Sequence, residues 1–267
     1  LFQKRRPQDM GLQPDGLSGE ASPRLGAAAD PTIVDHTWVA TEWTVGSAVK
    51  QHRFWALFLA SFFLWGIGVT ILQVHQVAFI VDAGYGAVFA TIIFSIYGAM
   101  SMIGPLCAFI SDRVGREVTV TAGISFIMLG AAMLFLVNDS SHPWILYIFA
   151  LAFGMGMGLN TATLGACAMD LFQGKNFGSI NGVITAGFAI GAALGAYLGG
   201  LIYDLTGTYL IAFMVVEVAL ALAMVCVWVA APRKTRLVPG RARSVATALL
   251  PTGSPGQGLG QGAGLRK

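Results

Sequence analysis

Six apolar runs dominate this chain, at about 54–81, 87–110, 118–137, 144–169, 178–203 and 208–231. About 20 apolar residues are enough for a helix to cross the hydrocarbon core of a bilayer. The expectation is an all-α membrane protein with six transmembrane helices. The sixteen Lys and Arg residues test that span list. Lys4, Arg5, Arg6, Arg24, Lys50 and Arg53 precede the first run. Arg113 and Arg116 lie between the second and third, and Lys175 between the fourth and fifth. The remaining basic residues, Arg233 to Lys267, follow the sixth, and the three alternate loops hold none. Basic residues stay on the cytoplasmic side during insertion, so both termini are expected there. A missed or invented span would scatter them over both faces.

The composition agrees: 55% of residues are hydrophobic and 11% charged, against about 25% charged in a soluble domain. Three segments are expected. Residues 1–52, rich in Pro, Gly and Asp, read as a largely flexible cytoplasmic loop, with Trp43 to Arg53 as a short interfacial helix. Residues 53–231 form the transmembrane domain, and the Gly- and Pro-rich stretch 232–267 reads as a disordered cytoplasmic tail. The net charge of +3 follows from the positive-inside bias. Nucleic-acid binding would need a basic face on a folded domain. Cys107, Cys167 and Cys226 sit inside apolar runs without metal-ligand spacing, so no metal and no cofactor is expected. The chain begins at Leu1 without a signal-peptide pattern, which reads as a fragment of a larger protein.

Loops of about five to nine residues between runs predict antiparallel, largely adjacent helices. Asp112-Arg113-Val114-Gly115 after the second run is echoed by Asp204-Leu205-Thr206-Gly207 after the fifth, on the opposite face. That echo fits two inverted three-helix repeats. In the fifth run Gly187, Gly191, Gly195 and Gly199 form an i, i+4 row, a bare face that admits a neighbouring helix closely. Gly154, Gly156 and Gly158 lie within a membrane helix and lack the strand-to-helix context of a nucleotide fingerprint.

His75 and Glu217 are the ionisable side chains well inside the runs. A mid-bilayer charge costs roughly 2.5–3.5 kcal/mol on insertion scales, so each is a functional candidate. His75, flanked by Gln73 and Gln76, is a candidate for binding a solute or carrying a proton. Glu217 is a candidate proton relay or a hydrogen-bonded structural residue. Tyr97, Asn160 and Asn181 are further pathway candidates, each also able to bond a neighbouring helix. One His with no nucleophile and base beside it does not make an intramembrane enzyme.

The stretch Ala108-Phe109-Ile110-Ser111-Asp112-Arg113-Val114-Gly115-Arg116-Glu117 resembles the signature loop of the major facilitator superfamily, Gly-x-x-x-Asp-Arg-x-Gly-Arg-Arg/Lys. Ala108 replaces its first Gly and Glu117 its last basic residue, which suits the degenerate second copy of that motif. Arg6 to Gly16, Trp43-Thr44, Phe54-Trp55, Asp170 to Ile180, Gly191 to Gly200 and Tyr203 to Tyr209 resemble bacterial monocarboxylate-porter-like and oxalate/formate-antiporter-like members. The resemblance implies the carboxyl-terminal half of a twelve-helix transporter, helices seven to twelve, in a bacterial inner membrane, partnered by a missing six-helix half. It implies alternating-access transport of a small organic solute, with a monocarboxylate and proton coupling as candidates. It makes Asp112, Arg113, Gly115 and Arg116 a cytoplasmic latch, and it places His75 on a cavity-lining helix and Glu217 on a peripheral one. The cationic residue that carboxylate-carrying members place in helix eight or eleven is missing here. A non-transporting sensor or assembly subunit on the same fold is the alternative.

Overall fold

The computed structural model describes residues 32–238. Two short helices, α1 (His36–Ala40) and α2 (Val45–Ala48), precede the first long one. The long helices are α3 (His52–Asp82), α4 (Ala87–Ile103), α6 (Arg116–Leu134), α7 (Pro143–Phe172), α8 (Phe177–Thr206) and α9 (Leu210–Ala230). A 3-10 stretch, Gly104–Ile110, and the single turn α5 (Ser111–Val114) join α4 to α6. Six helices among the described residues are long and apolar enough to cross a membrane. Their ends are set locally. Pro143 opens α7, where its missing N–H costs nothing. Gly207, at φ 69°, closes α8 with its N–H on Tyr203 O at 2.8 Å. Gly115, at φ 126°, separates α5 from α6, a backbone conformation open to glycine.

Apart from α6 with α7, consecutive helices are not the main neighbours. The expectation from short loops holds for α6 with α7, while α7 and α8, and α8 and α9, touch only slightly. Instead α3 runs along α8 and α9, α7 runs along α4 and α6, and α6 meets α9. A short loop fixes only where two helix ends meet. The lateral partner is decided by which faces fit. Exchanging the first triplet (α3, α4, α6) for the second (α7, α8, α9) carries this contact set onto itself. The pairs α3–α8 and α7–α4 exchange, as do α3–α9 and α7–α6. Bare backbone marks the equivalent crossings: a Cβ added at Gly66 of α3 would lie 2.5 Å from Gly191 Cα of α8. One added at Gly104, just after α4, would lie 2.5 Å from Gly158 Cα of α7. The fold is two interlocked triplets related as inverted repeats.

Two features depart from expectation. Within α3, Phe62–Val69 is π-helical. The flanking segments are also folded wherever they are described. Trp38 and Trp43 pack on each other and on Phe172, with ring centroids 4.5–6.0 Å apart. The predicted Trp43–Arg53 helix is only Val45–Ala48, followed by the start of α3 at His52. After α9, Pro232–Lys234 forms a 3-10 turn, and Arg236 pairs with Ile33 in an antiparallel bridge. These contacts fix residues 32–51 and 232–238, the described parts of the expected loop and tail. Residues 1–31 and 239–267 lie outside the described residues.

Candidate functional site

A cavity of about 360 Å³ opens between α3, α7 and α8. Leu57, Ser61 and Trp65 line it from α3, at four-residue spacing on one helix face. Met157, Thr161, Leu164 and Gly165 line it from α7, and Asn181, Ile184, Thr185 and Phe188 from α8. None of the lining residues is ionisable. Thr161 Oγ1 donates to Met157 O at 2.9 Å, and Thr185 Oγ1 donates to Asn181 O at 2.8 Å. Each hydroxyl proton is thus spent on its own helix, and lone pairs are left for the cavity. Asn181 is the lining side chain that brings both carboxamide donors and an acceptor. The wall therefore offers neutral hydrogen bonds on a mostly apolar surface. A bare charge placed against it would find no opposite charge.

One sequence candidate lines this cavity, and two more pack behind its wall against Met157. Asn181 lines it directly. Gln73 Nε2 donates to Tyr97 Oη in a short contact, and Tyr97 Oη lies 3.3 Å from Sδ of the lining residue Met157. Tyr97 also stacks on Phe153, with ring centroids 4.7 Å apart. Three other candidates are turned away. Gln76 is fully buried, with Nε2 3.4 Å from Gln73 O. Asn160, also fully buried, packs against Gly123 of α6 and donates to Gly156 O at 2.9 Å. His75 does not line the cavity. Its Nε2 is 3.1 Å from Ala196 O, and its ring packs on Tyr209 at 5.4 Å. The reason is Gly199: a Cβ there would overlap the imidazole, so the end of the glycine row is the slot that seats His75. The rest of the row meets α3 backbone. An added Cβ would lie 2.5 Å from Phe58 O at Gly187, 2.6 Å from Phe62 O at Gly191, and 2.6 Å from Gly66 O at Gly195. Glu217 is on α9, three turns from Trp228 on the same face, and Trp228 Nε1 donates to Thr121 of α6 at 2.9 Å. Glu217 therefore does not line the cavity, to which α9 contributes no residue.

At the bundle end where both flanking segments lie, Arg116 holds a charge cluster together. Its Nη1 is 2.7 Å from Asp112 Oδ1 and 3.1 Å from Ser111 Oγ, and its Nε donates to Asp170 Oδ2 at 3.1 Å. The planar guanidinium fork suits such two-sided pairing. The cluster ties the α5–α6 corner to the end of α7. Of the four expected latch residues, Asp112, Gly115 and Arg116 come together here. Arg113 points outward, with its guanidinium 5.7 Å from the Phe109 ring. Asp170 and Glu117 are functional candidates that sequence reasoning missed. The available signal for Asp170 was an acid at the end of an apolar run, on the side where the basic residues gather.

The sequence model of the Major Facilitator Superfamily matches residues 5–185 and 140–261. The chain belongs to the major facilitator superfamily. As a member, it is an integral multi-pass membrane protein. No curated protein matches the sequence. Among solved structures, tetrameric PepTSo2 is similar, with a TM-score of 0.61 at 16% identity over 76% of this chain and 47% of that one. A structure described for proton dependent oligopeptide transporters gives 0.60 at 17%, covering 74% and 46%. An auto inhibited POT family peptide transporter gives 0.59 at 20%, covering 78% and 43%. Identities this low show a shared fold. This facilitator chain spans just under half the length of those transporters.

Proposed function

We propose that this chain is one six-helix half of a secondary transporter for a small organic solute, with the α3–α7–α8 cavity as its share of the pathway. The observation that carries the reading is the cavity itself. It lies between long apolar helices of both triplets, lined by neutral hydrogen-bonding groups on an apolar wall. The least covered long helices, α4 and α8, would face the second half. On this reading the carboxyl-terminal position, the cytoplasmic placement of both flanking segments and a bacterial inner membrane follow from the basic asymmetry and the signature-loop resemblance. The Asp112–Arg116–Asp170 cluster acts as the cytoplasmic latch.

A monocarboxylate fits this wall by its apolar end, with its charge met by the other half. His75 does not supply that charge, since it is seated against α8. The test is solute uptake into liposomes by the complete transporter, using short-chain carboxylates and their neutral amides as probes. Asn181→Ala should raise KM for whichever probe is carried, leaving the melting temperature unchanged. Uptake of every probe at the wild-type rate in Asn181→Ala and Thr185→Val would remove this cavity from the pathway.

A further inference from the structure

The segment after α9 makes contacts that a tail has no need of. Glu117 Oε1, in the first turn of α6, accepts from the Arg233 N–H at 2.8 Å and lies 3.6 Å from Arg233 Nη1. The Arg233 guanidinium sits 4.6 Å over the Trp228 ring. Thr235 is fully buried. Its Oγ1 accepts from Arg53 of α3 at 2.6 Å, and its carbonyl accepts from the N–H groups of Val34 and Asp35 at 3.0 and 3.2 Å. Leu237 N donates to Thr32 O at 2.6 Å. Arg53 in turn lies 4.3 Å over the Trp38 ring, and Trp38 Nε1 donates to Leu171 O at the end of α7 at 2.7 Å.

By packing, the helices form two sets, α3 with α8 and α9, and α7 with α4 and α6, joined chiefly where α6 meets α9 and also where α3 touches α4. Arg233 to Glu117 and Trp38 to Leu171 both cross from one set to the other. We propose that residues 232–238, gripped by Glu117, are an internal brace that locks the two sets together at this end of the bundle. The six helices then tilt as one body. Glu117 is the residue on which the brace depends. Its side chain is 4% exposed, and a buried carboxylate is costly unless hydrogen-bonded and paired. The Arg233 N–H and guanidinium meet both needs. Glu117 also stands where the signature loop has Arg or Lys. A cation there would repel Arg233 and leave its N–H without an acceptor. The departure from the motif is therefore the feature that lets the brace dock.

Amide hydrogen exchange on the purified full-length protein in detergent tests this without any transported solute. In Glu117→Ala, exchange should speed up at Arg233 and also, together with it, at Val34, Asp35 and Leu237, whose N–H groups lie on the far side of the brace. The first turn of α6 and the last turn of α7 should loosen with them. Glu117→Gln keeps an acceptor for the Arg233 N–H and should retain most of the protection. Thr235→Val leaves Glu117 untouched and should expose the same amides from the other end, which covers the case in which Glu117→Ala fails to fold. Faster exchange confined to Arg233 in Glu117→Ala would show a local cap and overturn the brace. So would full protection of Arg233 in Thr235→Val.

Discussion

At Gly66 and Gly191 the helices α3 and α8 meet backbone to backbone, and Gly191→Ala measures what that approach is worth. The new Cβ would lie 2.6 Å from Phe62 O and 2.8 Å from Gly66 Cα. Carbon atoms pack without strain at about 3.5–4.0 Å, so the helices would have to part by roughly 1 Å. Overpacking of this kind costs about 1–3 kcal/mol. Alanine also recovers up to about 1 kcal/mol of helix propensity, which would hide part of that cost in a single measurement. Gly182→Ala on the same helix removes the ambiguity, because nothing lies within 4 Å of its added Cβ. The propensity gain is common to both variants, so their difference is the steric cost alone, about 1–3 kcal/mol. Thermal unfolding in one detergent, followed by tryptophan fluorescence, should therefore place Gly191→Ala several degrees below Gly182→Ala, at about 2–4 °C per kcal/mol for a unit of this size. Equal melting temperatures would mean that the helices separate freely at this crossing, and the close-packing argument would fail. Gly66→Ala combined with Gly191→Ala should cost less than the sum of the two, since both changes open the same contact.

Asp170→Ala should lower the melting temperature more than Asp112→Ala, because the Asp170 side chain is 16% exposed and that of Asp112 50%; the reverse order would shift the weight of the Arg116 cluster to its outer arm. Single-cysteine labelling in a background lacking Cys107, Cys167 and Cys226 should tag position 175 from the cytoplasm and position 140 from outside, and the opposite result would invert the topology. Asp35 caps α1, and the Thr37 hydroxyl and Trp38 N–H hold its carboxylate below the ordinary 3.8. A lowered carboxylate pKa stabilises the fold above its unfolded value and loses that contribution as pH falls through the folded one. Trp38 fluorescence should thus be flat from neutral pH to about 5 and change only below 3.8; a transition near neutral pH would assign the cap to another group.

Hydropathy located all six long helices to within a few residues, because it reports which stretches leave water. It carries no information on azimuth. His75 and Asn181 are both polar residues in apolar runs, and only the position of Gly199 against one and an open space beside the other separates them. The spacing of Gly187 to Gly199 did show a smooth face, since periodicity is a property of one helix. That its partner is α3 rather than the next helix in sequence depends on the matching face around Gly66, which no single run reveals. The π-helical turn of α3 left no periodic signature to read. Glu117 and Asp170 were missed for a different reason. Their partners Arg233 and Arg116 are 116 and 54 positions away, and charge pairs across that separation are visible only once the helices are assembled.

The bridge between Ile33 and Arg236 brings the chain entering the helical unit alongside the chain leaving it. The unit is thus closed into a ring at one face, although its backbone is linear. A pull on the incoming strand and a pull on the outgoing one arrive at the same spot, beside Arg53 and Thr235. Whatever polypeptide is joined at either end has one shared handle on all six helices, and two such units linked in tandem would each be held from a single side of the bilayer.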